Sequence, residues 1–387
     1  MSQSKLPLDG INAVEIGQAL AGPLSGVILA DLGADVIKIE KPEGGDDARL
    51  WGPMATKDAS LMFNATNRSK KSVILDLKSA DGLEKLYGLI KQADICIQNL
   101  RPGVAVKGGF GPAVLMAVNP RLVYCVVSAF GEEGPLNGHP GMDPLAQAYG
   151  GVMTLTGRAD DPPTFCAPAI NDTATGMWAV IGALAALEER RQTGKGKVIG
   201  TSLFESAVHW VSGPLNAYNH HGAETLRTGA ASANLVPYQV FDTADRPICI
   251  AAGNNRLFLK LAPILGKQEW CDDLRFNQPA PRFENRHALL PMIAEILQTD
   301  TCDNWIAKIE SVGVPCSPVN DIATLSKTEQ LEAVGMVQQV PDRDFRITTL
   351  PITLDGQRPP VRFASPKLGE HTEEVLGALA AEVKAAE

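Results

Sequence analysis

The sequence predicts an α/β protein: a doubly wound parallel sheet in the first half, followed by a second, smaller lobe. Short apolar runs rich in β-branched residues recur at 11–16, 35–40, 72–76, 93–98 and 121–128, which reads as a series of strands. Stretches of helical length separate them, at about 24–32 and 80–92, and strand–helix–strand alternation implies parallel pairing through crossovers. From about 236 to 323 the pattern changes to a few strands among several helices.

The punctuation supports each element. A Gly22-Pro23 turn follows the first strand, and Gly33 closes the first helix as a C′ glycine. A long helix is expected over 173–192, started by Asn171-Asp172 and stopped by Thr193-Gly194-Lys195-Gly196. Residues 213–235 read as loop, 313–319 as a turn and linker, and the tail as short β segments before a terminal helix. In a doubly wound sheet, ligands sit beyond the carboxyl ends of the strands.

A chain of 387 residues with 45% apolar content can fill the cores of two domains. Lys and Arg number 35 against 44 Asp and Glu, a net charge of −9. That balance argues against nucleic acid as a partner, yet leaves room for a local basic pocket. Met1 to Pro7 contain no apolar signal core, the longest apolar run (177–187) is short for a bilayer, and neither end carries a lipidation motif. No membrane partner is expected. Seven cysteines, an odd number with no CxxC spacing, point to reduced thiols and a cytoplasmic protein. His220 and His221 are the only neighbouring histidines; adjacent positions do not share a helix face, so no HExxH-type zinc site is expected.

Several motifs follow one another in a fixed order. Leu8-Asp9-Gly10 leads through Val14-Glu15 to Ala21-Gly22-Pro23. Leu32-Gly33-Ala34-Asp35-Val36-Ile37-Lys38-Ile39-Glu40 precedes Gly45-Asp46-Asp47. Asn67-Arg68-Ser69-Lys70-Lys71-Ser72 runs into Leu75-Asp76-Leu77-Lys78, and Asn99-Leu100-Arg101-Pro102-Gly103 follows the fourth strand. Asn171-Asp172-Thr173-Ala174-Thr175-Gly176 opens the long helix, and Leu368-Gly369-Glu370-His371-Thr372 lies in the tail. In order and spacing the chain resembles the class III CoA-transferases, among them formyl-CoA transferase, carnitine CoA-transferase and the transferases acting on dicarboxylic acids. The resemblance implies a large Rossmann-like domain built from both chain ends (1–215 and 330–387), a small inserted domain (225–325), and a homodimer of interlocked rings. It also implies CoA and acyl-CoA as substrates, with no permanently bound cofactor.

Asp172 stands where a helix begins, and its plain reading is an N-cap. The two roles are compatible, because helix amides and the positive dipole end favour an ionised carboxylate. By resemblance, this Asp attacks the acyl-CoA thioester to give a mixed anhydride. The released thiolate then forms an aspartyl-CoA thioester, and an incoming acid takes over the CoA. Such adducts stay activated only if water is excluded.

A basic set lies after strands of the first domain: Lys41, Arg68, Lys70, Lys71, Lys78, Arg101 and Lys107. Each alone reads as solvated surface charge; together they suit a 3′-phosphate and a pyrophosphate. The family's CoA contacts map onto Ala19, Leu20, Lys41, Leu75 to Lys78, Asn99, Leu100, Arg101 and Lys107. Leu20 replaces a Gln of formyl-CoA transferase, and Ser128-Ala129-Phe130 replaces its Lys-Gly-Tyr stretch. Val236-Pro237-Tyr238-Gln239 and Ala252-Gly253-Asn254-Asn255 look like transferases using succinyl-type donors. The expected second substrate is a short acid such as succinate, glutarate, mesaconate, itaconate or citramalate, with oxalate and carnitine-like acids ranked below.

Three other readings remain. A 2-methylacyl-CoA racemase shares the fold and needs a His in a Gly-His-Asp motif; here the stretch is Gly141-Met142-Asp143, with His139 two residues earlier than Gly141. A nucleotide-dependent oxidoreductase would show GxGxxG after the first strand, and none is present. A non-catalytic CoA-binding protein would keep the basic set and be indifferent to loss of Asp172.

Overall fold

Six parallel strands form the main sheet: β1 Asn12–Ile16, β2 Asp35–Glu40, β3 Lys70–Ile74, β4 Ile95–Gln98, β5 Val123–Ser128 and β6 Val198–Ser202. Their spatial order is β3-β2-β1-β4-β5-β6. Strand order therefore reverses between β1 and β4, the crevice where doubly wound sheets bind ligands. The computed structural model describes residues 5–386. Met1 to Ser4, part of the stretch read above as lacking a signal core, lie outside the described residues.

Side-chain alternation explains why both faces are covered. Ala13, Val36, Ile95, Ile97, Val123 and Cys125 pack with Ile28 and Leu29 of helix α1 (Ala21–Asp31) and with Val180, Ala183 and Leu187 of the long helix. Their neighbours Val14, Ile39, Val73, Cys96, Tyr124 and Val126 pack on the opposite face with Leu86, Leu89 and Ile90. Those three belong to α3 (Ala80–Gln92), which follows α2 (Leu61–Asn67). Pairing apolar residues on both faces gives the near-continuous hydrophobic strands seen in the sequence.

The helices that follow along the chain are α4 (Val104–Lys107), α5 (Pro112–Val118), α6 (Asp143–Tyr149), α7 (Ile170–Thr193), α8 (Leu203–Trp210) and α9 (Ser212–His221), and the expected terminal helix spans Thr372–Ala386. Gly33 has φ +113° and Gly194 φ +70°, as their predicted stop roles require. Helix α7 starts three residues before the expected 173, so Asp172 lies inside its first turn and Ala169 is the N-cap. By length and composition α7 could cross a bilayer, contrary to the expectation from 177–187; half of an apolar 18-residue window of it is buried in the protein, and the helix packs against α1 and β5. The loop expected over 213–235 begins as α9, because its Gly213-Pro214 pair sits in a helical first turn where proline is tolerated. The third strand expected over 72–76 runs instead from Lys70, so Lys70 and Lys71 are strand residues and not loop cations.

Both chain ends lie in one compact unit (1–152, 165–216 and 330–387). The tail hydrogen-bonds along β3, covering that sheet edge: Ser69 N–H to Phe363 O and His371 N–H to Ser72 O at 3.0 Å, and Ile74 N–H to Thr372 Oγ1 at 3.0 Å. The second unit comprises 153–164 and 217–329. It holds an antiparallel sheet of β7 Tyr238–Phe241, β8 Ile248–Ala251 and β9 Cys316–Pro318, the last falling where a linker was expected. Its core includes Ile248, Ile250, Phe258, Phe276, Leu289 and Trp305. Buried Arg282 donates to Val236 O and Phe276 O and stacks 4.1 Å from the Phe258 ring. All seven cysteines are free thiols.

Candidate active site

The loops after β1 and β4 meet at the switch point. Gln18 N–H donates to Asn99 Oδ1 (2.9 Å), and Asn99 Nδ2 donates back to Gln18 O (2.8 Å). A Cβ on Gly22 would lie 2.9 Å from Asn99 Cγ, so the Ala21-Gly22-Pro23 motif is what lets Asn99 approach. Ala19 adopts φ +66°, a conformation costing a non-glycine residue about 1 kcal/mol; its N–H is held by Asp46 Oδ1 at 3.0 Å.

Two cavities open around this loop. The first, about 510 Å³, has apolar walls that include Ile39, Leu75, Leu83 and Phe110, and a rim carrying Lys41, Lys78 and Lys107. The second, about 670 Å³, contains Ala19, Leu20, Asn99, Arg101 and Asp172, with Met62, Met142 and Leu145 among its walls. Gln18 and Leu100 border both. Asp172 and the positions mapped from the family's CoA contacts thus lie on one of two adjoining cavities at the carboxyl ends of the strands, whereas Arg68, Lys70 and Lys71 of the basic set line neither. The first cavity suits a nucleotide with phosphates at its rim; the second surrounds a carboxyl group.

Asp172 is half-buried at the start of α7. The amides of that helix end are taken by another acid. Asp143, at the start of α6, accepts the N–H groups of Asn171 (2.7 Å) and Asp172 (3.0 Å) through Oδ2. Gln147 Nε2 donates to its Oδ1 at 2.6 Å. Burial first, and Asp143 second, push the Asp172 carboxyl up to about 7. The expectation that helix amides hold it ionised is corrected on this point: those amides are bonded to Asp143, and burial favours the neutral form of Asp172. A Cβ on Gly176 would lie 2.9 Å from Ala21 O, so this motif glycine sets the close approach of α7 to α1 beside the site.

The basic set divides. Lys41, Lys78, Arg101 and Lys107 are exposed, Lys41 being ion-paired with Asp47 at 2.6 Å. Among the described residues Lys78, Arg101 and Lys107 have no ion-pair partner. Arg68 is buried against Asp31 (2.6 Å), Lys70 against Glu15 (2.6 Å), and Lys71 pairs with Glu374 (2.8 Å). Arg68 and Lys70 are corrected from ligand cations to structural ones, since their charge is met inside the fold, while Lys71 stays in a surface pair and lines neither cavity. Burial pulls the Lys70 ammonium down to about 8, although Glu15 opposes it. Burial also opposes the charge on Lys38, yet Glu15, Asp46 and Glu40 hold its pKa above the ordinary lysine value.

The sequence reading names Asp143 and Asp46 only as motif positions and gives neither them nor Gln18 a role in the transferase site. Asp143-Pro144 is a helix-start signal, but it marks α6 and says nothing of α7, whose amides Asp143 satisfies. His139 also borders the second cavity, while Met142, at the racemase histidine position, offers no titratable proton.

Residues 8–372 match the model of CoA-transferase family III. The chain is 34% identical to the succinate–glutarate CoA-transferase of Agrobacterium fabrum, covering 98% of this chain and 97% of that protein. It is 34% identical to the acetyl-CoA:oxalate CoA-transferase of Acetobacter aceti, covering 95% of each. A CAIB/BAIF family protein from Brucella suis superposes with a TM-score of 0.88 at 36% identity, covering 97% of this chain and 100% of that one. The chain belongs to CoA-transferase family III and is an enzyme of the CoA-transferase type.

Proposed function

We propose that the enzyme moves CoA from an acyl-CoA to a short dicarboxylic acid, with Asp172 as the carboxylate that carries the acyl group. The observation behind this is the position of Asp172 in the second cavity, next to the cation-rimmed first one. CoA placed along both would hold its phosphates near Lys41, Lys78 and Lys107 and its thioester near Asp172. An Asp172 oxygen attacks the thioester carbonyl, the C–S bond breaks, and CoA leaves as thiolate. The thiolate attacks the aspartyl carbonyl of the anhydride and releases the donor acid. The acceptor carboxylate then attacks the aspartyl-CoA thioester and frees the thiolate again. Attack of that thiolate on the acceptor's acyl carbon gives the new acyl-CoA and restores Asp172. The apolar walls of Met62, Met142 and Leu145 suit a path from which water must be kept.

The acid class is drawn from relatives named for succinate, glutarate and oxalate. Arg101 and His139 are the cationic or cation-capable side chains of the second cavity, and either would suit the far carboxylate. Two further expectations belong here. A homodimer is supported by the edge position of β6 and by exposed Trp178, Ile181 and Trp210 beside it. A cytoplasmic location is supported by the seven unpaired thiols.

The test is turnover of purified enzyme with succinyl-, glutaryl- and acetyl-CoA against a panel of acids that includes oxalate, read by mass spectrometry. Exchange of CoA into a short dicarboxylate supports the reading. Hydrolysis alone, or epimerisation without exchange, contradicts it.

A further inference from the structure

The motif Gly45-Asp46-Asp47 and the lysine of the second strand are not used by the chemistry above, yet both lie directly beneath it. Lys38 is fully buried on β2, in register with Glu15 of β1. Its Nζ meets Glu15 Oε1 at 2.8 Å, Gly17 O at 2.8 Å and Asp46 Oδ2 at 2.9 Å. Glu15 and Gly17 accept hydrogen bonds from this ammonium, and Asp46 faces it as an ion pair. Asp46, 2% exposed, uses its other oxygen for the N–H groups of Ala19 and Ala48, both at 3.0 Å. Asp46 is itself anchored, its N–H donating to Glu40 Oε2 at 2.9 Å, and Glu40 is paired with Arg49 at 2.6 Å. A Cβ on Gly45 would lie 2.4 Å from Glu40 Oε2, and its φ is +65°, so the turn that delivers Asp46 requires glycine.

The consequence is a clamp on three consecutive residues. Lys38 holds the carbonyl of Gly17, Asn99 holds both backbone polar groups of Gln18, and Asp46 holds the N–H of Ala19 at positive φ. Gln18, the middle residue, borders both cavities. An acyl-CoA lying along both would pass it with the pantetheine arm, whose two amides suit a glutamine side chain.

Resting on the CoA-transferase reading above, we propose that the buried Lys38–Asp46 pair is a positioning device for acyl-CoA: through Gly17 and Ala19 it fixes the turn that sets Gln18 at the junction of the two cavities. Lys38 and Asp46 are positioning residues: Lys38 is fully buried, and Asp46, which borders the first cavity at 2% exposure, directs both carboxylate oxygens to protein groups.

The test is a KM and kcat series for acyl-CoA, with melting temperatures measured alongside. Asp46→Ala removes the anchor of Ala19 and should raise KM about tenfold, a loss of about 1.4 kcal/mol in binding, with kcat changed much less. Asp46→Asn can still accept from Ala19 and should raise it less. Adding Ala19→Gly to Asp46→Ala should recover most of the loss, because glycine reaches positive φ unaided. A purely structural pair would give a lower melting temperature with no KM effect and no recovery by Ala19→Gly; either result overturns the proposal. Should Asp46→Ala not fold, Ala19→Val leaves the pair intact and opposes positive φ through its branched Cβ; it should raise KM, and an unchanged KM overturns the proposal equally. Wild type that exchanges CoA normally while these variants do too refutes the clamp alone, whereas wild type that exchanges no CoA refutes the function.

Discussion

Asp143 Oδ2 accepts the backbone N–H of Asp172 at 3.0 Å, so one acid caps the helix from which the other acts. This places a second negative charge beside the proposed nucleophile, where burial already disfavours ionisation, and the Asp172 carboxyl rises to about 7. Since attack requires the carboxylate, kcat/KM for acyl-CoA should climb with pH through about 7. Asp143→Asn removes the charge while keeping an oxygen that can cap, and should move the midpoint to lower pH. A pH–rate profile of both proteins checks this; a flat wild-type profile from pH 5 to 8 would contradict it.

The same relationship bears on stability. A carboxyl whose folded pKa is raised binds more protons folded than unfolded between its ordinary value near 4 and about 7. It therefore makes the fold less stable as pH rises through that window. Asp172→Asn should lose this dependence and, at pH 8, melt no lower than wild type, because Ala169 and not Asp172 is the N-cap. Thermal melts at pH 5 and pH 8 decide it.

Five strands of the sheet were legible in the sequence because β-branched runs and glycine stops record burial on both faces, while the half-exposed edge strand β6 (Val198–Ser202) carries no such run. Legible too was the clustering of Lys41, Lys78, Lys107 and Asp172, which strand ends bring together whatever the loops do. The start of α7 was misplaced because Asp172 resembles a cap, while the group that caps the helix, Asp143, is 29 positions away in sequence. Arg68 and Lys70 were misjudged for a related reason. A cation's burial depends on a partner elsewhere in the chain, here Asp31 and Glu15, and no local pattern announces it.

Arg68 and Lys107 should accordingly behave in opposite ways. Arg68→Ala leaves Asp31 buried without its partner and should cost about 3 kcal/mol or more of stability, seen as loss of soluble protein or a large fall in melting temperature. Lys107→Ala, at an exposed position, should leave melting unchanged and weaken CoA binding several-fold at low salt. That effect should shrink as salt is added, which titration calorimetry at two ionic strengths can follow.

The proposed dimer face gives another outcome. A charge at Ile181, which is 52% exposed on α7 beside edge strand β6, should be tolerated by the monomer fold and should disrupt an apolar contact between copies. Ile181→Asp should elute and scatter as a smaller species than wild type. Equal masses near that of one chain for both proteins would remove the dimer.

The most direct measurement is chemical trapping of the acyl carrier. Wild-type enzyme incubated with acyl-CoA and hydroxylamine should convert the Asp172 side chain alone to a hydroxamate, located by peptide mass spectrometry, and Asp172→Asn should show none while losing turnover by several orders of magnitude. A label on Asp143 or on a cysteine, or near-normal turnover in Asp172→Asn, would contradict the account.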